Sequence, residues 1–156
     1  MIKIDIPGYG NVELHNLMLD LNGTLAIDGE LIEGVRERLN ALSELLDIYV
    51  VTADTFGSAK ASLKGVKCEL LILEENNQQK QKWQYLKEVG ASKTVAIGNG
   101  MNDLMMIERA ELGLALIQQE GCAAEAILKA NLIFTSIIDA LDILTNPLRL
   151  TASLRM

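Results

Sequence analysis

The chain has 156 residues, enough for one domain with a sizeable core, and its 49% apolar content excludes a disordered polymer. A formal net charge of −7 argues against nucleic acid as a partner, because phosphate backbones select basic faces. With one histidine and two isolated cysteines, Cys68 and Cys122, there is no material for a histidine-rich zinc site, a Ser-His triad or a disulfide framework, so a metal would be held by oxygen, which suits Mg²⁺.

Taken in order, Ile2 to Ile6 alternates as a half-buried strand does, and turn formers from Pro7 to Asn11 return it near Val12 to Leu14. This hairpin is expected to cap one edge of the sheet. Met1 to Asp5 carries an acid too early for a secretory signal. No stretch reaches the roughly 18–20 apolar residues of a spanning helix, so a cytoplasmic location with no membrane partner is expected. The run from Leu17 reads as a buried strand ending on Asp20, with Gly23 and Thr24 just beyond. Asp28-Gly29 between apolar flanks marks a small hairpin, either a decorated loop or a flap over the site.

Val35, Leu39, Leu42, Leu45 and Leu46 recur at helical spacing. Strands follow over 47–52, 68–73, 93–98, 112–117 and 132–135. Helices are expected over 56–63, 77–89, 102–110, 123–129 and 137–144, with Pro147 breaking the last and a helical turn docking after it. Alternating strand and helix predicts an α/β fold: a Rossmann-like, three-layer arrangement of about six mostly parallel strands with helices on both faces. The chain reads as a single domain, 1–156, without a repeat or linker.

Open α/β sheets bind ligands at the carboxyl ends of their strands. The first apolar strand delivers Asp20, Asn22 and Thr24 there, the second Thr52 and Asp54, and the fourth Asn99, Asn102 and Asp103. A polar helix start with Lys80 and Lys82 precedes the fourth. Singly, each has a plain structural role: cap, turn starter or solvated lysine. Together at one edge they suit phosphoryl transfer. Asp20 would attack phosphorus, Thr52, a lysine and backbone N–H groups would hold its oxygens, and Asp103 would anchor Mg²⁺.

Asp20-Leu21-Asn22-Gly23-Thr24, Thr52-Ala53-Asp54 and Gly98-Asn99-Gly100-Met101-Asn102-Asp103 resemble, in order, the motifs of the haloacid dehalogenase superfamily. The chain is most similar to the phosphorylation domain of P-type ATPases and to small soluble proteins like it. The resemblance implies Asp20 as nucleophile, and Asp20, Asn22 through its carbonyl, Asn99 and Asp103 around Mg²⁺. It also implies phosphate binding by Asn22, Gly23, Thr24, Thr52, Ala53, Asn102 and Lys82. Lys82 is favoured over Lys80 because Leu86, Val89 and Gly90 follow at the family's offsets; two apart on a helix, only one can face the site.

Two departures stand out. Family phosphatases carry a general acid–base Asp two residues after the nucleophile, where this chain has Asn22, so an aspartyl phosphate should break down slowly. Asp54 is a weak substitute base. Asn99 replaces a usual metal-side Asp, which should weaken Mg²⁺ binding without substrate. Both asparagines precede glycine, the pair most prone to deamidation, which would restore the acids. The family's caps are absent, so the resemblance implies a homo-oligomer, dimer or tetramer, acting on a phosphorylated small molecule or protein. The rivals are an attenuated phosphate-sensing or interaction module, and an accessory domain of a P-type pump.

Overall fold

The computed structural model describes residues 1–54 and 57–156. Strands β1 (Ile2–Ile6) and β2 (Gly10–Leu14) form an antiparallel hairpin that runs through His15 into β3 (Asn16–Asp20). A two-residue ribbon follows, β4 (Ala26–Ile27) with β5 (Glu30–Leu31), then α1 (Val35–Leu42) and β6 (Asp47–Thr52). Next come α2 (Ser58–Ser62), β7 (Glu69–Ile72), α3 (Gln78–Val89) and β8 (Thr94–Gly98). A 3₁₀ turn, Met101–Asp103, leads into α4 (Leu104–Arg109), β9 (Leu112–Leu116), α5 (Ala124–Lys129) and β10 (Leu132–Phe134). The chain closes with α6 (Ile137–Thr145) and α7 (Pro147–Leu154).

Six strands make one parallel sheet in the order β10-β9-β8-β3-β6-β7. The fold is the expected Rossmann-like α/β arrangement. β3 is central, and its run is buried from Asn16 to Asp20 because helices cover both faces. Successive side chains alternate between those faces. Leu17 and Leu19 join the apolar cluster of α1, α6 and the hairpin, whereas Met18 joins the smaller cluster of α3 and α4. Asp20 shares Met18's parity and so reaches the α3 side.

The hairpin does not cap a sheet edge. It is a separate two-stranded sheet at the amino end of β3, where the His15 N–H donates to the Lys93 carbonyl and its own carbonyl accepts from Asp47. Its alternation is read out as burial: Ile2, Ile4 and Ile6 enter the core while Lys3 and Asp5 face water. The edges are β7 and β10, and their half-exposed apolar residues, Ile72 and Ile133, reflect neighbours on one side only. α1 stops at Leu42, so Leu45 is exposed and only Leu46 turns back into the core. The helix expected from Phe56 starts outside the described residues; its described part begins at Ser58. Pro147 opens α7 at its first position, where the missing N–H costs no bond.

Candidate active site

The carboxyl ends of β3, β6 and β8 open onto a cavity of about 220 Å³ lined by Asp20, Asn22, Thr52, Ala53, Gln78, Asn99, Gly100 and Asn102. Lys82 and Asp103, fully buried, lie beneath it. The Lys82 ammonium donates to Asp20 Oδ1 and to Asp103 Oδ1, each at 2.6 Å. Three residues far apart in sequence thus meet through one charge. α3 makes this possible, since Gln78, Lys82 and Leu86 recur every fourth residue and share its inner face. Lys80 falls on the outer face and is exposed.

Asp103 is positioned by its backbone. Its Oδ2 accepts N–H bonds from Asn99 and Gly100, both at 2.9 Å. Gly98 is required for this approach, because a Cβ there would lie 2.5 Å from the Asp103 carboxyl carbon. The turn after β3 is equally tight. Gly23 has φ +77°, and a Cβ on it would meet the Asn99 amide at 2.5 Å. The buried Thr24 hydroxyl reaches Asn99 Oδ1 at 3.3 Å and Asp20 Oδ2 at 3.5 Å.

Burial of Asp20, reinforced by the neighbouring Asp103 carboxylate, outweighs Lys82 and pushes its pKa up to about 7. Burial opposes the charge on Lys82, but the two carboxylates more than compensate and hold it above the ordinary lysine range. With Asp20 ionised, one cation between two acids leaves an excess negative charge at the floor of the cavity. That imbalance, with the weakly engaged Asp20 Oδ2, fits a hard divalent cation held by oxygen. Among the described residues no group of three or more His, Cys, Asp or Glu could hold a metal, so carbonyl, amide or water oxygens would complete the shell. Asn99 is near enough to contribute, though its oxygen faces Thr24 and its nitrogen donates to the Gly121 carbonyl at 3.1 Å.

The remaining predicted residues divide. Thr52 is buried at the end of β6 and lines the cavity with Ala53. Asn22 is exposed at the mouth. Asn102 donates to Gln78 Oε1 at 2.9 Å. Asp54 receives N–H bonds from Ser58 and Ala59, so its carboxylate is tied to the start of α2. The β4–β5 ribbon contributes nothing to the described lining; the carbonyl of its turn residue Gly29 accepts from Ser62 on α2 at 2.7 Å. The amides that would drive deamidation are engaged, Gly23 N–H with the Ala26 carbonyl and Gly100 N–H with Asp103, which opposes ring closure on Asn22 and Asn99.

Sequence reasoning missed Gln78 and Gln118. The Gln118 side chain donates to the carbonyls of Gly23 (3.1 Å) and Thr24 (3.0 Å) and accepts from the Ile137 N–H at 2.8 Å. It clamps the turn after β3 to the start of α6. Its place just past a strand's carboxyl end was the available signal; a neutral amide there drew no notice.

The profile of haloacid dehalogenase-like hydrolases matches residues 72–135, which carry Lys82 and Asp103. Uncharacterized protein MJ0073 of Methanocaldococcus jannaschii is 36% identical over 105 residues, 67% of this chain and 97% of that one. Copper-transporting ATPase HMA5 of Oryza sativa subsp. japonica is 30% identical over 128 residues, 78% of this chain but 12% of the transporter. The 3-deoxy-D-manno-octulosonate 8-phosphate phosphatase of Moraxella catarrhalis, solved with magnesium, phosphate and KDO, superposes with a TM-score of 0.71 at 13% identity over 85% of this chain and 86% of that one. The corresponding phosphatase of Yersinia pestis gives 0.67 at 14% identity, covering 98% and 95%. By the profile match the chain belongs to the haloacid dehalogenase-like hydrolases, and it shares the fold of the two phosphatases.

Proposed function

We propose that the protein is a Mg²⁺-dependent phosphohydrolase or phosphotransferase working through an aspartyl phosphate on Asp20. The observation that carries this reading is the buried lysine bridging Asp20 and Asp103 at the floor of an open cavity. Asp20 oxygen forms the bond to phosphorus while the bond to the leaving alcohol oxygen breaks. Lys82, Thr52, Asn102 and the N–H groups of the turns after β3 and β6 hold the phosphoryl oxygens as charge moves among them. Asp20, Asp103, the Asn22 carbonyl and Asn99 would hold Mg²⁺, which when bound offsets charge on carboxylate and phosphate. The Moraxella phosphatase's magnesium and phosphate support this choice of cofactor and substrate.

The leaving alcohol takes its proton from solvent, because the amide of Asn22 has none to pass. The same lack of a base slows attack of water on the phosphorylated Asp20, at a cost of roughly 10²–10⁴ in rate. The cavity is uncovered by the β4–β5 ribbon in the described residues, so a second copy of the chain is the proposed cover, in a dimer or tetramer. No helix among the described residues is long and apolar enough to cross a membrane, in keeping with a cytoplasmic site of action.

A second reading, an attenuated phosphate-responsive module, is favoured by one feature: among the described residues the lining offers no carboxylate besides Asp20. Release of p-nitrophenol from its phosphate ester with Mg²⁺, lost in Asp20→Ala, supports the enzyme. Mg²⁺-dependent trapping of beryllium fluoride without turnover supports the module. Activity that survives Asp20→Ala ends the proposed mechanism.

A further inference from the structure

The floor of the cavity is charged and its rim is not. Four primary amides ring the opening: Asn22 from the turn after β3, Gln78 from the start of α3, Asn99 from the end of β8 and Asn102 from the 3₁₀ turn. Three of them are held in place: Asn102 donates to Gln78 Oε1, Gln78 Nε2 donates to the Glu75 carbonyl, and Asn99 accepts from Thr24 and donates to the Gly121 carbonyl. No Lys or Arg lines the cavity among the described residues, and the Lys82 ammonium below is committed to two carboxylates. The charges beside the mouth are acidic. The Glu120 carboxylate would stand 3.0 Å from a Cβ on Gly23, in the turn that carries the lining residue Asn22.

We infer that the site takes phosphate monoesters of small, uncharged, hydroxyl-bearing alcohols and discriminates against those with a second acidic group on the alcohol. This rests on the reading of Asp20 as phosphoryl acceptor. Amides both donate to and accept from hydroxyls, and they neutralise nothing. A second anion at this mouth meets Glu120 and, among the described lining residues, no Lys or Arg, and like charges in juxtaposition act against a partner even where contacts are otherwise good. A volume of 220 Å³ is below the ~300–1,000 Å³ of sites for drug-sized ligands, which leaves room for a phosphoryl group and an alcohol of a few carbons.

The test compares glycerol 3-phosphate with 3-phosphoglycerate, which differ by a hydroxymethyl against a carboxylate, on the full chain with Mg²⁺. The expected kcat/KM is about tenfold or more in favour of glycerol 3-phosphate. The gap should narrow between 0.05 and 0.5 M salt, as screening shortens the reach of the rim charges, and again in Gln78→Lys. Turnover of p-nitrophenyl phosphate with equal kcat/KM for the two probes overturns the selectivity and leaves the Asp20 reading intact. No turnover of any of the three esters overturns the Asp20 reading. Calorimetric binding of the two probes to Asp20→Asn then decides the selectivity alone: tighter glycerol 3-phosphate upholds it, and equal affinities overturn it.

Discussion

The two faces of the sheet are unequally furnished. On one, α1, α6, α7 and the hairpin bury a broad apolar cluster from Ile2 to Leu150. On the other, α3 and α4 cover a thin layer around Met18, Val51, Leu86, Ala96 and Met106, and beside it lie the buried charges of Asp20, Lys82 and Asp103. β3 serves both, Leu17 and Leu19 in one direction and Met18 and Asp20 in the other. Burying three charges is costly, and their mutual attraction offsets that cost only with good geometry. The apolar face supplies the surplus that lets the other keep a charged floor.

Lys82→Met tests that division most severely. It leaves two buried carboxylates facing each other without a cation, a loss of about 3–5 kcal/mol in urea unfolding together with the proposed activity. Adding Asp20→Asn should recover much of the stability and none of the activity. If the single variant is as stable as the parent, the charged floor does not depend on its lysine.

The titration of Asp20 is the next largest effect. Its folded pKa of about 7 lies above the ordinary 3.8, so folding takes up a proton between those values. The group's contribution is therefore most favourable below about pH 4 and declines as pH rises to 7, by about 4 kcal/mol at most. In EDTA, the parent should lose stability relative to Asp20→Asn between pH 5 and 8. A constant difference across that range would mean Asp20 titrates normally.

How much of this was legible follows from where information sits along the chain. Alternating apolar runs and helical stripes foretold the parallel sheet, since each element's pattern is local. Lys82 was separable from Lys80 because Leu86, Val89 and Gly90 follow it at the family's offsets, and in the fold Leu86 shares its buried helical face. What the pattern could not supply was placement between distant elements. The β1–β2 alternation states that one side is buried, not that it lies under the amino end of β3. The runs at β7 and β10 are as apolar as central strands, so their edge positions appeared only with the strand order. The clamp made by Gln118 is a contact with backbone 94 and 95 residues away, through a side chain that carries no charge to single it out.

On the apolar face, Leu141→Ala removes a fully buried side chain of α6 and should cost about 2–4 kcal/mol. The turnover per folded molecule should be unchanged, because Leu141 belongs to the apolar cluster of the opposite face and is not among the described residues that line the cavity. A drop in kcat at full folding would show that the faces are coupled through β3 and not divided by it.

Gln118→Glu is the gentlest probe of the boundary between them. The oxygen that accepts from Ile137 is retained, while the nitrogen that donates to the Gly23 and Thr24 carbonyls becomes a second oxygen. Two carbonyls then face a carboxylate, at about 1–3 kcal/mol in stability. Because those carbonyls belong to the turn that places Asn22 and Thr24 beside Asp20, the kinetic signature should be a fall in kcat with a smaller change in KM: the turn aligns the proposed phosphoryl acceptor, while Gln78, Asn99 and Asn102 of the amide rim belong to other elements. Gln118→Met tests the same point without adding charge. It should cost less stability yet lower kcat similarly if the clamp acts by positioning the turn. If instead kcat follows only the loss of folded protein in both variants, Gln118 is a strut of the apolar face and has no part in the chemistry of the other.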